Sequence, residues 1–169
     1  MNRTISYIIL IVLVAMPFSC QKIQILPPEP SIEFRSFSMF DSIDILGNRL
    51  KAGILEFYFE DGDGDIGISQ QGYPENDTAN LVIYQFNKAE GTYPLLPEDT
   101  LFYRVPSIER VGQNQLIQGT IEITLLYIGF DDQDTIRYDF FLKDRAGNIS
   151  NTAASCDIVF SGEGGCVDL

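Results

Sequence analysis

The stretch LEFYFEDGDGDIG, residues 55–67, joins a strand pattern to a dense acidic loop. Leu55, Phe57 and Phe59 alternate with Glu56 and Tyr58, which is the period-two pattern of a strand with one buried face. Three aspartates follow at every second position, with glycines between them. The stretch therefore predicts a β-strand that ends in a loop able to gather several carboxylates.

The same period of two recurs in the segments on either side. SIEFRSFSMF, residues 31–40, alternates but changes parity after Phe34, which predicts a β-bulge near Arg35 or Ser36. The dipeptide Gly47-Asn48 predicts a two-residue hairpin turn between the first two strands. Five further strands are predicted in the segments NLVIYQF, LFYRVP, QLIQGTIEITLLYI, DTIRYDFFLKD and ISNTAASCDIVF.

Two of these strands can be placed in a sheet from their residues. NLVIYQF is apolar on both faces and is therefore predicted to be central, whereas Pro106 ends LFYRVP or places it at an edge. About seven short strands with turn signals between them, and no helical pattern, are typical of an antiparallel β-sandwich. The fold class predicted is all-β.

Composition excludes several classes of function. The chain of 169 residues is long enough for one ordinary domain. Its formal net charge of −13 argues against a nucleic-acid partner, because phosphate binding needs clustered Lys and Arg. The chain has no histidine, so the usual general base and the commonest transition-metal ligand are missing.

The first 30 residues are predicted to lie outside the folded domain. Arg3 precedes an apolar run of 12 residues, ISYIILIVLVAM, which is short for a bilayer span and typical of a signal peptide. Ser19 directly before Cys20 resembles a bacterial lipoprotein signal, which implies cleavage before Cys20 and lipid on its sulfur. An ordinary secretory signal with an incidental cysteine, or an uncleaved anchor, remains the alternative. Residues 20–30 then form a proline-rich tether to the membrane, and residues 31–169 form the domain.

The two remaining cysteines are predicted to form a disulfide. An exported protein lives where disulfides persist, and the glycines between Cys156 and Cys166 allow a tight return of the chain. Two free or intermolecular thiols are the alternative. A redox role is not expected, because the spacing is not Cys-x-x-Cys.

Four segments carry a family resemblance. FYFEDGDGDIG, NLVIY, GTIEITL and FFLKDRAGNISN occur in this order in a group of small, mostly uncharacterised Bacteroidota-type lipoproteins, which this chain resembles. The closing KDRAGNISN is also similar to the last hairpin of bacterial immunoglobulin-like and fibronectin-like modules. The resemblance implies an immunoglobulin-like sandwich and says little about activity, because a fold does not carry a function.

The aspartate loop is the candidate metal site. In an extended chain the carboxylates of Asp61, Asp63 and Asp65 share one face, and the glycines between them let the oxygens converge. Ca²⁺ suits such a site because it takes six to eight oxygen ligands. The loop is not an EF-hand, since Ile66 and Gly72 occupy the sixth and twelfth positions.

A fourth ligand is expected from the DRAGN turn. In an immunoglobulin-like sandwich this turn lies at the same end as the aspartate loop, which would bring Asp144 close. Asp144 is expected above all to cap backbone N–H groups of its own turn. The alternative for the three aspartates is a solvated loop of Asp-Gly turns that binds no metal.

The function predicted is a non-catalytic binding or structural module of the cell envelope. The sequence has no Ser/His/Asp set, no Cys/His pair and no phosphate loop. The expected location is the outer membrane, anchored by lipid on the periplasmic face or the cell surface, with a protein or glycan partner. The alternative is a small carboxylate-dependent glycan hydrolase.

Overall fold

Strands make up the regular structure in the part of the chain that the computed structural model describes, which is residues 26–68, 79–108, 116–129, 134–161 and 164–167. They are β1 Ser31–Ile43, β2 Arg49–Asp61, β3 Leu81–Asn87, β4 Asp99–Tyr103, β5 Ile117–Tyr127, β6 Thr135–Leu142, β7 Ala153–Ala154, β8 Ile158–Val159 and β9 Gly164–Val167. All strand pairs between these elements are antiparallel.

The strands divide into two sheets. One has the order β5-β2-β1-β9, and the other has the order β4-β3-β6-β7, with β8 also paired to β6. The first, second and fifth strands thus share one sheet, and the third and sixth share the other, as in an immunoglobulin-like sandwich. The predicted all-β antiparallel sandwich is confirmed, as are a central β3 and an edge β4.

The last predicted strand is divided and the tail forms one more, so the described residues contain nine strands rather than about seven. β7 pairs with β6 at Asp139 and Phe140, and β8 pairs with it at Thr135 and Ile136. Between them the Ser155 hydroxyl accepts the Tyr138 N–H at 2.9 Å, so a side chain replaces one rung of the ladder. The tail adds the other strand, β9, beside β1.

The β1–β2 hairpin confirms one prediction and corrects another. The register shifts between Phe34 and Ser36, where a bulge was predicted. The predicted two-residue turn is wrong, because β1 ends at Ile43 and β2 begins at Arg49. The loop between them closes on the Asp44 carboxylate, whose Oδ1 accepts the N–H groups of residues 46 and 48 at 2.9 and 2.8 Å.

The core lies between the two sheets and is rich in aromatic rings. Phe57 of β2 and Phe140 of β6 are fully buried, and their ring centroids are 5.0 Å apart across the sandwich. The buried hydroxyl groups of Tyr127 and Tyr138 form a hydrogen bond with each other, with the two oxygens 2.9 Å apart. The apolar side chains that alternate along β1, β2, β3 and β6 fill this space.

The predicted Cys156–Cys166 disulfide is confirmed. Cys156 lies between β7 and β8, which pair with one sheet, and Cys166 lies in β9, which belongs to the other. The bond therefore joins the two layers at one side of the sandwich.

We expect the double substitution Cys156→Ser, Cys166→Ser to lower the free energy of unfolding by about 2–3 kcal/mol, because the bridge constrains a short loop in the unfolded chain. Urea denaturation of the oxidised wild type and of the variant measures the difference. The reduced wild type is the matched control and should unfold with the variant. Equal unfolding midpoints for oxidised and substituted protein would contradict the expectation.

Candidate metal centre

The aspartate loop is organised by the carboxylate at the end of β2. Asp61 is 1% exposed, and its Oδ2 accepts the backbone N–H groups of Asp65 at 2.8 Å and Ile66 at 2.9 Å. Ile66 is buried in the core and Gly64 has a φ of 66°, so the chain curls back over Asp61. One carboxylate oxygen thus shapes the loop, and the other remains for a further role.

The three carboxylates of the loop converge. Asp61, Asp63 and Asp65 each offer an oxygen, and these oxygens lie within 4.8 Å of one another. The Oδ1 atoms of Asp61 and Asp65 are shielded from solvent and have no hydrogen-bond partner, and the Oδ1 of Asp63 is buried beside them. Such oxygens are costly to bury unless a cation balances them. The group could hold a metal ion.

Burial and the repulsion between neighbouring carboxylates raise the pKa values of Asp63 and Asp65. Burial raises the pKa of Asp63, and so do the close Asp61 carboxylate and the charge of Asp144. Burial also raises the pKa of Asp65, as do the charges of Asp144 and Asp63, while Arg145 opposes the rise. Negative charge is therefore in excess at this corner, which is the condition that favours a bound cation.

The structure places Asp144 next to this group, with its carboxylate used in its own turn. Oδ1 accepts the Asn148 N–H and Oδ2 accepts the Asn148 side-chain amide, both at 2.7 Å. The predicted capping role is confirmed, and its assignment as a metal ligand stays a prediction. Asp44 and Asn48 make the same two bonds, at 2.8 Å each, in the β1–β2 loop.

The DRAGN turn and the aspartate loop are in direct contact, as the predicted topology required. The Ala146 N–H donates to Asp65 Oδ2 at 3.1 Å, and Arg145 Nη1 donates to the Gly67 carbonyl at 3.2 Å. Asp65 therefore reaches the turn with one oxygen and keeps the other towards Asp61 and Asp63.

The segment after β4 contacts the other side of the aspartate loop. This contact was not predicted from the sequence. Ile68 and Val105 are joined by an N–H···O bond of 2.9 Å, and a Cβ on Gly67 would lie 2.3 Å from the Pro106 carbonyl oxygen. Asn80 fixes this segment by accepting the Val105 N–H at 2.7 Å. The glycine at position 67 is the sequence signal for a close backbone approach, but it does not name the partner.

The segment that leads into β1 also contacts the aspartate loop. A Cβ on Gly62 would lie 2.3 Å from the Pro27 carbonyl oxygen and 2.6 Å from the Leu26 carbonyl oxygen. Gly62 stands between two of the converging aspartates, so these carbonyl groups lie against the acidic loop. Apart from the glycine itself, no feature of the sequence predicts this contact.

Two carboxylates that the hydrolase alternative could use lie apart from each other. Glu56 of β2 and Asp139 of β6 lie in different sheets, each between two core residues, so their side chains face away from the core. Glu56 accepts the Ser36 hydroxyl at 3.0 Å, and Asp139 is paired with Arg137 at 3.1 Å. These two carboxylates do not face each other across a cleft.

The predicted signal peptide and Cys20 lie outside the described residues, as does most of the tether. Within the described ranges, the structure contains no helix with the length and apolar character needed to cross a membrane. Comparison of the chain with family models, curated proteins and solved structures gave no match.

Proposed function

We propose that this chain is a non-catalytic binding or structural module of the bacterial cell envelope, held at the outer membrane by lipid on Cys20, with a structural Ca²⁺ in its aspartate loop. The observation that supports the metal site is the carboxylate of Asp61. It is 1% exposed, and its Oδ1 has no hydrogen-bond partner and lies beside oxygens of Asp63 and Asp65. A cation bound there would offset both the repulsion between the three carboxylates and the free-energy cost of burying their charges.

Calcium fits the donors better than other common metals. The clustered donors are all carboxylate oxygens, which favours a hard cation. The chain has no histidine, and Cys156 and Cys166 are joined to each other, so soft and borderline metals lack their usual ligands. Mg²⁺ demands near-octahedral geometry and keeps most of its water, whereas Ca²⁺ accepts irregular sets of oxygens.

A structural role follows from what the loop contacts. Asp65 bonds the DRAGN turn through Ala146, and Ile68 bonds the segment after β4 through Val105. A cation at the three aspartates would fix the loop that holds these segments at one end of the sandwich. The loop would then be a rigid corner of the module and take no part in covalent chemistry.

The envelope location rests on the sequence and is compatible with the fold. The N-terminal 20 residues resemble a lipoprotein signal, and the Cys156–Cys166 disulfide suits an oxidising compartment. β1 begins at Ser31, which pairs with Glu60 immediately before the aspartate loop. The tether therefore joins the domain at the end that carries the proposed Ca²⁺ site, and the module would present its other surfaces to a protein or glycan partner.

We expect Ca²⁺ to raise the stability of the wild type and not that of Asp63→Asn. At about one hundred times its dissociation constant, a ligand that binds only the folded state adds about 2.7 kcal/mol. The variant should lose this gain, yet it should be slightly more stable than the wild type in chelator, because a repelled charge has gone. Thermal unfolding in chelator, in Ca²⁺ and in Mg²⁺ measures both effects.

Asp41→Asn is the matched control, since Asp41 is exposed in β1 and pairs with Lys51 away from the loop. It should keep the full response to Ca²⁺. A wild-type midpoint that is the same in chelator and in Ca²⁺ would contradict the metal site. If Mg²⁺ raised the unfolding midpoint as much as Ca²⁺ does, the metal site would stand and its assignment to calcium would be wrong.

A further inference from the structure

We propose that β9 and the Cys156–Cys166 disulfide keep the chain monomeric by covering an edge of β1 that would otherwise pair with β1 of a second copy. β9 then takes the place of a partner strand, and the disulfide keeps it there. Neither β9 nor the disulfide contributes to the three converging carboxylates, so this role does not depend on the proposed cation site.

The edge of β1 that faces away from β2 is covered at two places by different means. Near the start of the strand, the Asn151 side chain accepts the Ile32 N–H at 2.9 Å and donates to the Ile32 carbonyl at 2.8 Å, as a neighbouring strand would. Further along, β9 pairs with Ser36–Met39. An uncovered strand edge presents unpaired backbone groups to other chains, and proteins block such edges in several ways.

The stretch that β9 covers carries no charge that would repel another chain. Ser36–Met39 is uncharged, although the whole chain has a formal net charge of −13. At the opposite edge of the same sheet, β5 has the exposed Glu122 near its middle, paired with Glu56 of β2. Charged side chains protect an edge strand, and like charges opposite each other are destabilising. Charge therefore protects β5, whereas the middle of β1 depends on β9.

β9 is a weak strand without its disulfide. It has only four residues, Gly164–Val167, and two of them are glycines, which disfavour a strand because they have no side chain to pack. Cys166 pairs with Phe37 of β1, and its bond to Cys156 joins β9 to the segment between β7 and β8. Without that bond, we expect β9 to leave β1 for much of the time.

β1 of a second copy fits the place that β9 would leave. Two identical strands can pair antiparallel about a two-fold axis, which closes the assembly as a dimer. A register centred on Ser38 sets Phe37 opposite Met39 of the second copy, and both residues are buried on the core face of β1. The core faces of the two sheets would therefore stay aligned across the contact.

Sedimentation over a range of protein concentrations tests this role, with Cys20→Ser in every sample so that neither lipid nor a third thiol joins two chains. The oxidised chain should stay monomeric. The chain in excess dithiol, and the variant Cys156→Ser, Cys166→Ser, should both approach twice the monomer mass as the concentration rises. Re-oxidation of the reduced chain should restore the monomer, which covers the case in which the serine variant does not fold.

Ser38→Lys, added to the serine variant, should return it to a monomer, because two like charges would then lie opposite each other at the two-fold axis. Thr124→Lys is the matched control. Ser38 and Thr124 are both exposed and pair with Ile54 from its two sides, so they lie in one row across the sheet. The control should still dimerise. A dimer that Thr124→Lys abolishes and Ser38→Lys retains would place the contact at β5 and overturn the proposal.

Hydrogen exchange measures the release of β9 separately from dimerisation. At a concentration where the chain is monomeric, loss of the disulfide should speed exchange of the Ser36–Met39 N–H groups that face β9 severalfold. The Ile32 N–H should stay protected, because Asn151 still accepts it. Unchanged exchange in Ser36–Met39 would show that β9 stays in place without its disulfide. A mass that never rises above the monomer would show that the open edge takes no second copy. Either result would overturn the proposal.

Discussion

Replacing Asp61 by alanine is expected to lower the free energy of unfolding by about 3 kcal/mol or more, even in chelator. The substitution removes the buried acceptor of two N–H groups, those of Asp65 and Ile66, and hydrogen bonds to charged groups contribute about 1.5–3 kcal/mol each. Asp61 is 1% exposed and its bond with the Ile66 N–H is buried, so the substitution leaves this donor without a partner in the interior. Denaturant unfolding in chelator measures this structural part alone.

Asp61→Asn separates the structural role of this residue from its cation-binding role. Its remaining oxygen can still accept the N–H groups of Asp65 and Ile66, so most of the stability in chelator should be kept. It places an amide where Oδ1 faces the other carboxylates, so the gain in Ca²⁺ should be lost. A full calcium response in Asp61→Asn would show that the buried oxygen is not a ligand. An alanine variant as stable as the wild type would show that Asp61 does not organise the loop.

Phe57→Ala is expected to lower the free energy of unfolding by about 3–5 kcal/mol, the usual cost of removing a buried phenylalanine. Phe57 is 0% exposed and packs across the sandwich against Phe140, with ring centroids 5.0 Å apart. The neighbouring sheets cannot collapse fully into the space, because each is held by its own ladder of hydrogen bonds. Urea denaturation with a two-state fit measures the loss.

The matched control for Phe57 is Phe102→Ala in β4, where the ring is 66% exposed. Its effect should stay within about 0.5 kcal/mol, as for most surface positions. Equal losses for the two variants would contradict the assignment of Phe57 to an inter-sheet core. The calcium response of folded Phe57→Ala should persist, since Phe57 contributes no oxygen to the loop.

Local patterns in the sequence were sufficient to predict the layers of this fold. The alternation of Leu55, Phe57 and Phe59 indicates which face of β2 is buried, and the parity change after Phe34 locates the bulge, because side-chain direction alternates strictly along a strand. The loop at Asp44 is longer than the predicted two-residue turn. Its DILGN sequence has the same Asp-x-x-Gly-Asn spacing as DRAGN, and both turns use the aspartate carboxylate in the same way.

The candidate site was predictable only in its local part. The three aspartates lie within five residues, so the backbone alone brings them together. The contacts of Gly62 with Pro27 and of Gly67 with Pro106 join segments about 35–40 residues apart. Such contacts depend on how the sheets pack, and a glycine in the sequence records only that something approaches closely.

Calorimetric titration of Ca²⁺ into chelator-treated wild type and into Asp61→Asn, Asp63→Asn is the most direct test of the central claim that the buried carboxylates bind a cation. The wild type should take up one Ca²⁺ per chain, and the folded double variant should give only the heat of dilution, since it has lost two of the converging carboxylates. A wild type that gives no binding heat and retains no Ca²⁺ on dialysis would contradict the claim. So would a double variant that binds Ca²⁺ as tightly as the wild type.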